Sequence, residues 1–490
     1  MSGVIGIGIG MATRCASIPV AYYSSGHQPG LRLGYGVALL AALVVQSFFL
    51  LVYQRFLRHF MDRIASPALP PSEQVKSTPS TDYGLGTSNC NRTRLNPRVY
   101  VMDLWPFIPY YVCRLCLGLL GQGVDTRICS VRYHLDGNYF RKEGLSSEPW
   151  LLDLGGDIRN ALLRRIVKSM EYWLNVILLG RQLAKSGSSI LHVQYLPFLD
   201  LGFPFEIWFL HWVRKHGVRI VYTVHNLTNK EHPNRHMALY CKAYHAAHLL
   251  VCHGQDASDQ LVRVFGIPAN KIQIIPHGPL FEDVPRLSPK EARAELGLPV
   301  DELLVLSMGV VREYKGLLFL LEAWKRLIES GCKARLLIAG TGDRHLMSAI
   351  RERVCKEGLE SSVHLWLHYV PVHQVPLLHH AADILVYPYR AGTTSGALLT
   401  GLNYGKAVVA TNLPFFKEYL RDGTNALLVN YGDVNALAHC LRTLLERPEK
   451  RSQIAAVLQS QNAQETSWNL IGKSTRECYE NLLKGQERSS

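Results

Sequence analysis

The chain contains no Asp-x-Asp pair. It therefore lacks the closely spaced carboxylates that hold a divalent ion on a diphosphate. Cys113 and Cys116 form a lone Cys-x-x-Cys with no second pair, which argues against a zinc site. The eleven cysteines are dispersed, several of them in apolar runs as buried free thiols are, and this usage suits a reducing compartment. Lys and Arg do not gather in blocks and no nucleic-acid-binding motif occurs, so nucleic acid is not expected as a partner. Charged residues make up only 19% and hydrophobic ones 48%, as in an α/β enzyme with some membrane character. The net charge of +14 suits anionic lipid or phosphorylated substrates. At 490 residues the chain is long enough for two or three domains with ample cores.

Residues 33–53 (LGYGVALLAALVVQSFFLLVY) carry no charge, and only Gln46 and Ser47 are clearly polar. At about 1.5 Å per residue such a helix is roughly 30 Å long, enough to cross a bilayer. Arg55, Arg58 and Arg63 follow it, against Arg14 and Arg32 before it, which favours a cytoplasmic body. Residues 66–97 are rich in Pro, Ser, Thr and Asn and read as a flexible tether. The expected layout is an N-terminal region 1–65 with a single-pass membrane helix, then the linker 66–97, then the body.

From Arg98 onward, strand-like runs alternate with helical stretches. The first series runs through residues 99–104, 126–131, 190–194, 219–224, 249–252 and 271–275. A second begins at Leu303 and continues through 334–339, 363–367, 383–387, 407–410 and 426–429. This alternation predicts parallel sheets with helices on both faces, in two doubly wound lobes at 98–280 and 281–465, followed by a helix in 466–490. Two strand-to-helix loops stand out. The first, after LLVLSM, is GVVREYKG at 309–316; the second, after ILVYPY, is RAGTTSG at 390–396. A buried strand ending in glycine, then two cations and a helix start, suits a diphosphate. Backbone N–H groups favour the anion, while Arg312 and Lys315 neutralise it. This predicts a site for the donor of a sugar-nucleotide enzyme, formed at the carboxyl ends of the strands.

Residues from about 98 to 485 resemble the GT-B glycosyltransferases, specifically family 4 (GT4). The matching stretches are IVYTVHN at 220–226, IIPHG at 274–278, GVVREYKG at 309–316, LLIAGTG at 336–342, AADILVYP at 381–388, GKAVVAT at 405–411, LPFFKE at 413–418 and DGTNALLV at 422–429. The resemblance implies a C-terminal lobe that binds a nucleotide-diphosphate sugar and an N-terminal lobe that binds the acceptor. It assigns donor contacts to Gly309, Arg312, Lys315, Gly316, Thr393, Thr394, Ser395, Gly396 and Glu418, with a framework role for Glu418 weighed beside ligand contact. His225 is the implied catalytic residue, as a hydrogen-bond donor to the sugar or, in an inverting reaction, as general base. His192 and His253 read as fold residues. The helix over residues 468–483 resembles the one that crosses back onto the acceptor lobe. No cofactor and no metal are expected.

The chain departs from the family at two positions. Many members carry two glutamates eight positions apart before the equivalent of Gly405; here those positions hold Gly392 and Thr400. This resembles a subgroup with Thr-Ser-Gly in the loop, and it leaves the stereochemical course unassigned. The membrane segment, the aromatic stretch 105–111 and the apolar stretch 196–205 suit a lipid-linked saccharide as acceptor. The expected activity is a membrane-anchored glycosyltransferase with its body in the cytoplasm, serving polysaccharide or glycoconjugate synthesis. The alternatives are a catalytically silent GT-B membrane scaffold and a different sugar-nucleotide enzyme such as an epimerase.

Overall fold

The computed structural model describes residues 98–487 except 157, 159, 187–188, 230–231, 233, 282–286 and 462–466. The expected membrane helix at 33–53 and the linker 66–97 lie outside the described residues. Among the described residues no helix is long and apolar enough to cross a membrane.

Two six-stranded, wholly parallel sheets organise the body. The first contains β1 (Arg98–Asp103), β2 (Asp125–Ser130), β3 (Ser189–Val193), β4 (Arg219–Thr223), β5 (Leu249–Cys252) and β6 (Ile272–Ile274). Its spatial order is β2-β1-β3-β4-β5-β6. The second contains β7 (Leu304–Met308), β8 (Arg335–Ala339), β9 (Val363–Trp366), β10 (Ile384–Tyr387), β11 (Ala407–Thr411) and β12 (Leu427–Val429). Its order is β12-β11-β10-β7-β8-β9. All twelve strand-like runs of the sequence contain a strand, with ends shifted by about one residue. The signal was strong because helices cover both faces: β3, β10 and β11 are buried at every residue and read as near-continuous Val, Ile and Leu.

The helices owe their docking to the 3.6-residue period. In Leu317–Glu329 the side chains of Leu317, Leu320, Leu321, Trp324 and Leu327 are buried, one apolar stripe laid on the sheet. Burying each such side chain contributes about 1.5–3 kcal/mol. Where this helix begins, Gly316 sits at φ +67°, and a Cβ there would overlap the Pro388 carbonyl oxygen. Only glycine fits that corner. Ser288 and Glu291 start the helix Pro289–Glu295 with a reciprocal capping box, satisfying two backbone donors at once.

Strand order reverses between β1 and β3 in one sheet and between β7 and β10 in the other. Crevices open at the carboxyl ends of strands at such points. The loops after β7 and β10, singled out in the sequence, flank the second reversal.

The C-terminal helix Trp468–Glu487 follows the second lobe in the chain yet packs on the first, against the helix Pro109–Gly121. The two meet where Gly118 faces Gly472. A Cβ on Gly118 would lie 2.5 Å from the Trp468 carbonyl oxygen, and one on Gly472 would overlap the Gly118 carbonyl. Trp468 Nε1 donates to the Pro279 carbonyl at 2.6 Å. Tyr479 lies 2.6 Å from His192 Nδ1, whose Nε2 meets Thr223 Oγ1 at 2.7 Å. Burial pushes the His192 pKa down to about 3, so this ring is a neutral strut within the fold.

Gly472→Ala should therefore destabilise the protein by about 1–3 kcal/mol through overpacking, lowering the thermal unfolding midpoint. An exposed Gly121→Ala control, on the partner helix and with open space around its Cβ, isolates that overlap, so an equal shift in both variants would refute the tight crossing.

Candidate functional site

A cleft of about 500 Å³ lies between the carboxyl ends of the two sheets. Its second-lobe wall includes Gly309, Arg312, Lys315, Thr394, Ser395 and Gly396, and its first-lobe wall includes His225. Six of the residues expected at a donor site and the expected catalytic residue His225 thus share one cavity. Gly316 stands behind this wall at the helix corner already described. Thr393 stands at the seam, where its Oγ1 donates to the His225 carbonyl at 3.3 Å. Glu418 is elsewhere. It is not among the cleft-lining residues; its Oε1 accepts the backbone N–H of Asp256 at 3.1 Å, at the start of the helix Gln255–Arg263. Burial raises its pKa first of all. This contact joins the two lobes and is of the framework kind weighed for Glu418 beside ligand contact.

The loop after β7 is shaped by two glycines. Gly309 has φ +143° and Gly340, at the end of neighbouring β8, has φ +141°. A Cβ on Gly340 would overlap the Gly309 carbonyl oxygen, so the two strand ends run against each other backbone to backbone. Lys315 is largely buried, at 9% exposure. Its ammonium lies 3.8 Å from the centre of the Tyr389 ring and donates to the Tyr389 hydroxyl. Tyr389 is 3.2 Å from Ser395 Oγ, which accepts the Leu398 N–H at 3.1 Å as the cap of the helix Gly396–Leu402. Lys315, Tyr389 and Ser395 therefore tie the loop after β7 to the loop after β10. Burial holds the Tyr389 pKa well above its usual value, so the phenol keeps its proton. Arg312 is half-buried on the cleft wall and contributes to the lowered pKa of Asp343, whose chief cause is the Leu346 N–H.

The two positions that carry glutamates in many GT4 members are otherwise employed. Thr400 is buried, and its hydroxyl accepts the Leu280 N–H at 3.2 Å, joining the second lobe to the segment after β6. Gly392 contributes only backbone.

Across the cleft, three histidines surround one tyrosine. The rings of His225, His253 and His277 lie 4.6, 5.4 and 4.9 Å from that of Tyr111, and Trp468 closes the ring at 5.2 Å. The hydrogen bonds fix a proton arrangement. His253 Nδ1 is 3.0 Å from the Ile275 carbonyl, and a carbonyl only accepts, so that nitrogen carries the hydrogen. Burial pushes the His253 pKa down to about 4, leaving its Nε2 a bare acceptor near neutral pH. His225 Nδ1, 3.2 Å from that Nε2, must then donate to it. Its other nitrogen, Nε2, is 3.0 Å from Gln194 Oε1; in a neutral ring protonated at Nδ1 this nitrogen is an acceptor, so the Gln194 amide is turned to present its NH2, the group otherwise left without a partner. His253 read as a fold residue because nothing in sequence separates β5 from any other buried strand; the parallel pairing of β4 with β5 sets its ring beside His225.

The Cys113 and Cys116 thiols are buried, with burial raising the Cys113 pKa to about 12 and that of Cys116 well above its usual value. Among the described residues no group of three or more His, Cys, Asp or Glu side chains is arranged to hold a metal ion.

Comparison with known proteins adds three findings. The model for glycosyl transferases group 1 matches residues 302–447, and that for glycosyltransferase family 4 matches residues 108–278. A D-inositol 3-phosphate glycosyltransferase of Xylanimonas cellulosilytica is 28% identical over 225 residues, 43% of this chain and 52% of that protein. The chain thus spans about half the length of this relative. A glycosyltransferase of Methanocaldococcus jannaschii is 24% identical over 50% of this chain and 62% of that one. Among solved structures, the sucrose-phosphate synthase of Thermosynechococcus elongatus superposes with a TM-score of 0.63 at 17% identity, covering 80% of this chain and all of that one. HepE of Anabaena, solved with UDP-glucose, gives 0.60 at 17% identity, covering 78% and 99%.

Histidine-selective ¹⁵N spectra should show His253 as a neutral ring protonated at Nδ1, charging only as the pH falls toward about 4, with His253→Gln giving the assignment. A His253 ring that titrates near the ordinary 6.5 would refute this arrangement.

Proposed function

We propose that this chain, a GT4-like glycosyltransferase with the GT-B fold, transfers a sugar from a nucleotide-diphosphate sugar to a hydroxyl of a saccharide acceptor. The observation that carries the reading is the convergence on one cleft of Gly309, Arg312 and Lys315 from one lobe and His225 from the other. The donor diphosphate lies along the Gly309 loop. Arg312 and Lys315 oppose its charge and that of the leaving nucleoside diphosphate as the glycosidic bond breaks. Thr394 and Ser395 supply hydroxyls to the phosphate or the sugar in place of the carboxylates that Gly392 and Thr400 do not provide. With its charge compensated by these side chains, transfer proceeds without a metal ion.

His225 faces the donor from the acceptor side. Its Nδ1–H is committed to His253, so its chemistry toward substrate runs through Nε2 in exchange for Gln194. That exchange lets the ring hydrogen-bond a sugar hydroxyl, or take the proton of the acceptor hydroxyl if the reaction inverts. UDP is the first nucleotide to test, since HepE of Anabaena has been solved with UDP and with UDP-glucose.

The membrane setting rests on sequence. The uncharged segment 33–53 anchors the chain, the arginines after it keep the body in the cytoplasm, and the acceptor is a lipid-linked saccharide of polysaccharide or glycoconjugate synthesis.

Thermal-shift titration of the full chain with UDP, GDP, ADP and their sugars, without added metal, tests the donor site. One nucleotide family should raise the unfolding temperature, with about 2.7 kcal/mol of stabilisation at a hundredfold excess over Kd. Arg312→Ala should weaken that binding roughly tenfold to hundredfold. If no nucleotide stabilises a folded wild-type protein, the reading fails and a silent membrane scaffold replaces it.

A further inference from the structure

The first-lobe side of the cleft differs in chemistry from the donor side. Phe107 presents an aromatic ring to the cavity and is 49% exposed. It stacks on Tyr195 with ring centres 4.6 Å apart and 20° between planes. The Tyr195 hydroxyl donates to Asp200 Oδ2 at 2.6 Å, and the Tyr240 hydroxyl donates to Asp200 Oδ1. Burial first, and then the Asp200 charge, raise the pKa of both phenols, so both keep their protons and act as donors. Each Asp200 oxygen accepts one phenol and retains a lone pair, while the carboxylate lines the cavity. The described cleft-lining residues include two Lys or Arg side chains, Arg312 and Lys315, and both belong to the opposite lobe.

We propose that Phe107 and Asp200 form a subsite for an uncharged sugar unit of the acceptor. One face of the pyranose lies on the Phe107 ring, and two adjacent hydroxyls donate to Asp200. This inference rests on the glycosyltransferase reading and names the substrate class of its acceptor side. A stacked aromatic recognises the apolar face of a sugar ring, and a fixed carboxylate recognises hydroxyl pairs. The same carboxylate, in a partly desolvated wall, repels a phosphate. The acceptor unit therefore differs from the inositol 3-phosphate named in the relatives: any phosphate on it lies beyond this subsite.

The test is saturation-transfer NMR of the full chain with methyl glucoside, methyl mannoside and methyl N-acetylglucosaminide, alongside glucose 6-phosphate and inositol 3-phosphate. Nucleotide thermal shift and unfolding midpoints are recorded on every protein. At least one neutral glycoside should give a signal that falls fivefold or more in Phe107→Ala and in Asp200→Asn and persists in Arg312→Ala. Phe107 is a surface side chain, so its variant keeps the test meaningful if Asp200→Asn unfolds. The inference is overturned if the phosphates bind as well as the neutral glycosides, if no glycoside binds, or if the signal is lost only in Arg312→Ala. Nucleotide binding that survives such a result leaves the donor reading standing; its absence from the folded wild type removes that reading as well.

Discussion

The close crossing of Gly118 with Gly472 docks the final helix of the chain on the first lobe, although that helix follows the second. A chain that builds one lobe and then the other has a single covalent passage between them unless it returns. Here it returns, and the helix Trp468–Glu487 approaches the first lobe backbone to backbone because neither glycine carries a Cβ. The Trp468 indole then ties to Pro279, beside the outward passage of the chain. The start of the passage to the second lobe and the returning helix are thereby held together.

The seam is completed by small polar contacts. The hydroxyls of Tyr110 and Tyr369 meet at 2.7 Å, Thr393 reaches the His225 carbonyl, and Glu418 caps a helix of the other lobe. Glu418, weighed for ligand contact and for a framework role, makes a contact of the second kind, while Tyr389 and Tyr111 organise the two walls. Tyr389 joins the two donor-side loops through Lys315 and Ser395. Tyr111 is the hub around which the three histidines pack.

Most of the architecture was legible in the sequence because it rests on short-range patterns. Twelve strand-like runs, with β3, β10 and β11 buried at every residue, announce parallel strands, and glycines at strand ends announce the loops. Gly309, Arg312, Lys315 and His225 could be placed at one cleft because the carboxyl ends of parallel strands share a side. The partners of these residues could not be read, since they depend on which strands lie side by side. Glu418 matches its family counterpart by position along the chain, while its contact with Asp256 of the other lobe has no local signature. The acceptor wall was legible only as an aromatic stretch: within 196–205, Leu199 is core, Leu201 and Phe203 face solvent, and Asp200 alone carries a charge into the cleft.

The make-up of the seam also separates two responses to dissolved salt. Each ion pair recorded among the described residues lies within a single lobe, while the contacts between lobes include phenols, hydroxyls, backbone groups and two carboxylates, Glu418 on a peptide N–H and Asp136 on the Tyr369 hydroxyl. Counterions weaken interactions between full charges over a Debye length of about 8–10 Å at physiological strength, and they act far less on short neutral hydrogen bonds. Ionic strength is thus a dial on how much of a charged ligand the cleft holds, and scarcely a dial on the shape of the cleft itself.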